Sequence, residues 1–276
     1  MTALRKAVAE VPPRRAATTL IVRDGAAGVE VLMVRRSLQA SFMPGAYVFP
    51  GGAVDAADGS PTHAAACNET AHELTRRIGS VTRVGDQALS YAVAALRECF
   101  EECGLWLGAP DHSAPTSAEW AALRARLHAG AAFCELAAAA GVPLATRALQ
   151  PWSHWVTPIG LHKRFDTLFF VARAPKGQVP TVDEGETTTL AWVHPPTALA
   201  AHARGEFPME FATVSTVQSL QPFAAGSVQA LLAHAAALTD LPPLLPRLKL
   251  DADGHILGVR LPAQAGYEAA APEAGQ

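Results

Sequence analysis

The chain has 276 residues, half of them hydrophobic, and a formal net charge of −3. That length can bury a sizeable core in one large domain or two small ones, and the near-balanced charge offers no basic field for nucleic acid. Four cysteines, Cys67, Cys99, Cys103 and Cys134, form no C-x-x-C pair and no disulfide framework, so they read as reduced thiols of a cytoplasmic protein.

Residues 1–13 end in Pro12-Pro13 and read as a loose lead-in. Arg5, Lys6, Arg14 and Arg15 flank no apolar segment of the secretory kind, and no apolar run is long enough to span a membrane. Residues 16–22 and 29–34 are apolar or β-branched runs around the turn signal Arg23-Asp24-Gly25, which predicts a strand pair. Phe42-Met43-Pro44-Gly45 is a turn. Tyr47-Val48-Phe49 is a short strand that delivers Pro50-Gly51-Gly52, and paired glycines after a strand allow close backbone approach to a ligand.

Residues 63–78 have helical composition, followed by a connector between Gly79 and Gly85. From Asp86, the expected N-cap, a helix runs to Cys103. Its apolar positions Leu89, Ala92, Val93, Leu96, Cys99, Phe100 and Cys103 recur at intervals of three and four, and Gly104 supplies the stop. Residues 117–140 form a second, alanine-rich helical block with Trp120, Leu123, Leu127 and Phe133. Residues 149–157 carry Trp152 and Trp155, which suit core packing or stacking on an adenine.

Residues 165–172 read as a buried strand. Asp183-Glu184-Gly185-Glu186 is an acidic loop before a strand at 190–194, and Pro195-Pro196 opens a helix to about His202. Helical stretches at 209–220 and 227–238 follow. Asp251-Ala252-Asp253-Gly254, between apolar runs at 248–250 and 255–261, lacks the later ligands of a calcium loop and reads as a hairpin turn. No internal repeat and no linker between independent domains is visible.

The chemistry concentrates in Arg97-Glu98-Cys99-Phe100-Glu101-Glu102-Cys103-Gly104-Leu105. Glu98, Glu101 and Glu102 sit at i, i+3 and i+4, which places three carboxylates on one helical face. Arg97 offsets part of that charge, and the remainder suits a hard divalent cation that takes oxygen ligands. The string resembles the second half of the Nudix box, G-x5-E-x7-R-E-U-x-E-E-x-G-U, with Cys99 at a bulky apolar position. Phe49-Pro50-Gly51-Gly52 resembles the F-P-G-G that opens the same box, and Asp58 stands where the box has its first glutamate. Between Asp58 and Arg97 lie 38 residues where the usual box has seven.

The resemblance implies an α/β (α+β) fold, a Nudix α/β/α sandwich around a mixed central sheet. It carries a helical insertion at 59–85 inside the box, the second helical block at 110–148 and a C-terminal helical extension and tail at 206–276, all within a single domain spanning 1–276. It also implies roles. Glu98, Glu101, Glu102 and the Gly51 carbonyl would bind Mg²⁺ or Mn²⁺, Glu98 would serve as ligand or base, Arg97 would orient the carboxylates, and Glu186, with Glu184 second, would be a loop carboxylate of the catalytic set.

Leu32-Met33-Val34-Arg35-Arg36-Ser37, with Gly45 and the F-P-G-G, is similar to the signature of coenzyme A-cleaving Nudix enzymes. There Arg36, Ser37 and Gly52 would contact substrate, and Ser41 stands where that signature has a second arginine. Coenzyme A or acyl-CoA is the implied substrate, with Arg35, Arg36, Arg76 and Arg77 as candidates for its 3′-phosphate. The alternatives are an ADP-sugar or dinucleotide diphosphatase and a non-catalytic ligand sensor. The expected partner is a small-molecule nucleoside-diphosphate-linked substrate, with no nucleic acid and no membrane, and a homodimer is left open.

Overall fold

The computed structural model describes residues 10–39, 43–109, 115–183, 187–262, 264 and 267. β1 (Arg14–Gly25) and β2 (Gly28–Arg36) form the predicted antiparallel pair. Alternation along β1 decides the layering: Ala17 and Ile21 face one core, Leu20 and Val22 the other. The two strands pair only near their turn, at 22–25 with 28–31. Into the opening fit β3 (Tyr47–Val48), which pairs with β2, and β4 (Gly51–Ala53), which pairs with β1. The two glycines are therefore strand residues, held beside Ala17 and Thr18.

The expected helix at 63–78 is broken. Ser60 caps α1 (Pro61–Ala66), and Thr70 with Glu73 forms a capping box that starts α2 (Ala71–Leu74). A π-helical turn, Thr75–Gly79, leads into α3 (Ser80–Thr82). Arg77 ties this insertion to the body by donating to Glu69, to the Leu149 carbonyl at 2.7 Å and to the Thr146 carbonyl at 2.9 Å. The acidic helix is α4 (Ala88–Cys103). Asp86 is not its N-cap: a 3₁₀ turn, Gly85–Gln87, precedes it, and Gln87 takes the cap position without a side-chain bond. Gly104 closes α4 in the left-handed region, φ 66°.

The second helical block is two helices, α5 (Ser117–His128) and α6 (Phe133–Ala140), separated at Gly130 with φ 93°. Thr116 and Glu119 cap α5. Phe100, Trp106, Trp120 and Phe133 form one aromatic cluster that seats α4 on this block. β5 (Gln150–Val156) and β6 (Phe165–Arg173) follow. β6 lies parallel to β1 over nine residue pairs and antiparallel to β5. β7 (Thr187–Val193) pairs antiparallel with β2, completing a mixed seven-stranded sheet.

Pro195 starts α7 (Pro195–Ala203), and α8 (Phe211–Ser219) and Ser227-capped α9 (Val228–Ala236) follow. Val217, Val228 and Leu231 pack with Leu20, Met33 and Val171 on the sheet face opposite α4. The architecture is thus the expected α/β/α sandwich. β8 (Arg247–Leu250) and β9 (Ile256–Arg260) make a separate hairpin around the predicted turn. Among the described residues no helix is long and apolar enough to cross a membrane.

Candidate active site

α4 is buried along most of its length, and its acidic face meets β4. The Gly51 N–H donates to Glu102 Oε2 at 2.9 Å, so Gly51 reaches the acidic face through its amide. A Cβ on Gly52 would lie 2.5 Å from the Glu98 carboxylate carbon. Glycine there is what lets the strand lie against that carboxylate. The insertion at 59–85 therefore leaves the two halves of the motif in contact.

Arg97 is the hub. Its Nε and Nη2 donate to the two Asp58 oxygens at 3.1 and 2.9 Å, and Nη2 also donates to the Ala53 carbonyl at 2.9 Å. Nη1 donates to Glu98 Oε1 at 2.8 Å and Glu101 Oε2 at 2.9 Å. Asp58 is buried and accepts the Asp55 N–H at 2.8 Å, which closes a short capped turn around it. The planar guanidinium fork thereby positions two carboxylates of α4 while a third, buried carboxylate holds the fork.

The charge is not fully compensated. Burial pushes Glu98 up to about 7, against the opposing pull of Arg97 and helped by the neighbouring Glu101. Burial also raises Glu101, again opposed by Arg97. These carboxylates are the donor type that a hard divalent cation takes, although among the described residues only Asp251, Asp253 and His255 bring ligand-type atoms within 4.8 Å of one another. Glu98, Glu101, Glu102 and Gly51 are the residues that would hold one.

Other predicted residues fall elsewhere. Arg36 ends β2 with its N–H bonded to the Ala46 carbonyl, and Ser37 Oγ accepts the Gln39 N–H at 3.2 Å. Arg35 donates to the Gly45 carbonyl and lies over the Tyr47 ring. Arg77 is committed to Glu69 and two carbonyls, so it does not present its guanidinium to a substrate phosphate. Trp152 and Trp155 are 7% and 8% exposed and pack in the core beneath α8 and α9, on β5 at the far side of β6 from β1. Ser41, Glu184 and Glu186 lie outside the described residues. Sequence reasoning missed Arg124 of α5, whose Nε and Nη2 both donate to the Glu101 carbonyl. Its partners, main-chain oxygens and the Thr181 hydroxyl, are distant in sequence and leave no pattern to read.

The sequence matches the family described as the NUDT19 Nudix domain over residues 6–87 and 79–215. It is 29% identical to acyl-coenzyme A diphosphatase NUDT19 of Homo sapiens over 271 residues, an alignment covering 84% of this chain and 71% of that protein. It is 31% identical to the protein of the same name from Gallus gallus over 243 residues, covering 69% of this chain and 60% of that protein. The crystal structure of a NUDIX hydrolase from Alicyclobacillus acidocaldarius is similar with a TM-score of 0.65 at 28% identity, covering 81% of this chain and 96% of that one.

Proposed function

The chain belongs to the NUDT19 Nudix domain family, and from that premise we propose that this Nudix hydrolase cleaves the diphosphate of coenzyme A or its thioesters. The products are adenosine 3′,5′-bisphosphate and a 4′-phosphopantetheine. One observation carries the reading: the complete set Glu98, Glu101 and Glu102 stands on α4 against Gly51 and Gly52, in a chain 29% identical to human acyl-coenzyme A diphosphatase. A non-catalytic sensor has no need of that intact acidic face.

Mg²⁺ or Mn²⁺, when bound, supplies a water of lowered pKa and neutralises charge on the diphosphate oxygens. The residues supply the rest. Glu101 and Glu102 are the principal ligands, and the Gly51 amide holds Glu102 in place. Arg97 holds one oxygen each of Glu98 and Glu101. With Oε1 of Glu98 engaged by Arg97, Oε2 is the atom that takes the proton of the attacking water. The hydroxyl adds to one phosphorus, the bridging P–O bond breaks, and the proton ends on the leaving phosphate. Glu186, with Glu184 second, is proposed as a further carboxylate of this set.

Arg36 is proposed to bind the 3′-phosphate, with Ser37 and Gly52 along the substrate's path, because Arg36-Ser37 falls in register with the signature of coenzyme A-cleaving Nudix enzymes. Four free cysteines suit the reducing cytoplasm proposed for it. The test compares coenzyme A with 3′-dephospho-coenzyme A. A charge-assisted contact to the 3′-phosphate predicts a kcat/KM about tenfold or more higher for coenzyme A. Equal values would remove the 3′-phosphate site, and faster cleavage of ADP-ribose or a dinucleotide would replace the substrate.

A further inference from the structure

The last turn of α4 carries two of the three carboxylates, and a helix leaves its final carbonyls without intrahelical partners. Gly104 and Leu105 close the cap by donating to the Phe100 and Cys99 carbonyls. The Glu101 carbonyl is taken by a side chain of another helix: Arg124 Nε and Nη2 converge on it at 2.8 and 2.6 Å. Arg124 Nη1 then donates to Thr181 Oγ1 at 2.8 Å, the Thr181 carbonyl at 3.2 Å and the Val182 carbonyl at 3.3 Å. The Thr181 N–H returns to the Cys103 carbonyl at 2.9 Å, closing a ring of bonds between α4, α5 and the segment after β6.

Gly104 makes room for this ring. A Cβ there would sit 2.9 Å from Thr181 Oγ1 and 3.3 Å from Arg124 Nη1. The positive guanidinium also lies at the negative end of the helix dipole. A lysine would bring the charge but not the fork that holds Glu101 and Thr181 together.

We propose that Arg124 is a positioning residue for the acidic face, fixing the Glu101–Glu102 turn against residues 181–182 so that the carboxylates are held in register for the metal. This assigns a role in the reaction to the second helical block. It rests on the reading that Glu98, Glu101 and Glu102 bind a divalent cation. Partners that orient metal ligands contribute roughly 10- to 100-fold to affinity or activity.

The experiment measures Mn²⁺ affinity by electron paramagnetic resonance, kcat and KM for coenzyme A, and the melting temperature, in the full chain. The variants are Arg124→Gln, Arg124→Lys, Arg124→Ala with and without added guanidinium, and Glu101→Gln as the reference. The expected result for Arg124→Gln is kcat and Mn²⁺ affinity each lowered about 10- to 100-fold, with KM within about twofold. Arg124→Lys should recover little, and guanidinium should restore part of the activity of Arg124→Ala.

Folded Arg124 variants with wild-type kcat and Mn²⁺ affinity, or a lowered melting temperature alone, would overturn the proposal. If Arg124→Gln does not fold, Arg124→Lys decides it, since wild-type behaviour of the lysine variant would show that the fork is not needed. Unchanged Mn²⁺ binding in Glu101→Gln would instead sink the metal-face reading itself, and this proposal with it. Loss in Glu101→Gln without loss in Arg124→Gln would sink the positioning role alone.

Discussion

The β8–β9 turn and α4 both carry carboxylates close together in sequence, and they differ in how the charge is met. In the β8–β9 turn, Asp251, Asp253 and His255 bring ligand-type atoms within 4.8 Å of one another. The Asp251 and His255 side chains of that grouping have local partners. Asp251 Oδ1 accepts the N–H groups of Asp253 and His255, and Oδ2 meets His255 Nδ1. The backbone bond from His255 is the main cause that lowers the Asp251 pKa. On α4 the acids are held by groups from β4, the Asp58 turn and Arg97, and burial drives Glu98 upward instead. Closeness of carboxylates marks a turn as readily as a site. The proposed cation site rests instead on buried carboxylates held on a helix that is braced from several elements.

The largest expected difference between the two regions is catalytic. Glu101→Gln or Glu102→Gln should lower kcat on the order of 100-fold or more under saturating Mg²⁺, since an amide is a poorer ligand for a hard cation. Asp251→Asn should stay within about twofold. Steady-state kinetics on variants with unchanged circular dichroism would check both, and similar losses in the two regions would erase the contrast.

Next comes the brace. Arg97→Gln leaves Asp58 buried beside no cation, and breaking a buried pair by removing one partner costs about 3–5 kcal/mol. Urea denaturation should show that loss. A change below about 1 kcal/mol would mean that Asp58 finds another partner or takes up a proton at little cost.

Smaller and opposite in sign is Glu98→Gln in the metal-free protein. The folded pKa of Glu98, about 7, lies above its ordinary 4.5, so its contribution to stability is greatest below 4.5 and is lost as pH rises through 7. The amide does not ionise. Glu98→Gln should therefore stabilise the apo protein at pH 8 by on the order of 1–3 kcal/mol, and by much less at pH 4. Asp251→Asn should behave oppositely, destabilising at high pH, because folding lowers that carboxyl's pKa. Thermal melts across pH resolve the two signs.

The smallest effect concerns reactivity. Burial pushes the Cys99 thiol up to about 12 and raises Cys103 as well. A thiol reagent at pH 8 should leave both unmodified in the native protein. Rapid labelling of Cys99, read by peptide mass, would mean that α4 opens far more easily than its packing implies.

Much of the site was legible because its signals are periodic and local. The carboxylates at helical spacing, the glycines after a strand and the stop at Gly104 each follow from backbone geometry over a few residues. The break at 63–78 was missed because the helical composition of that stretch outweighed the cap at Thr70, whose box with Glu73 starts a new helix. Asp86 was misread for a related reason: its side chain accepts from Thr75, eleven residues away, and not from the helix start. Arg77 reads as a candidate for the substrate's 3′-phosphate until the chain folds Leu149 and Thr146 onto it. Arg124 is the extreme case. Its partners are three carbonyls and the Thr181 hydroxyl, 23, 57 and 58 residues away, and the carbonyls carry no residue type to recognise.

The proposed activity of the α4 face is metal-dependent diphosphate hydrolysis of coenzyme A or its thioesters. The most direct measurement incubates the wild-type chain and Glu101→Gln with coenzyme A and an acyl-CoA, with Mg²⁺ or with chelator, and identifies products by mass. The expected products are adenosine 3′,5′-bisphosphate and the matching 4′-phosphopantetheine from the wild type with Mg²⁺, and neither product from the variant or with chelator. Intact coenzyme A and acyl-CoA after incubation with the wild type, or equal turnover by Glu101→Gln, would contradict it.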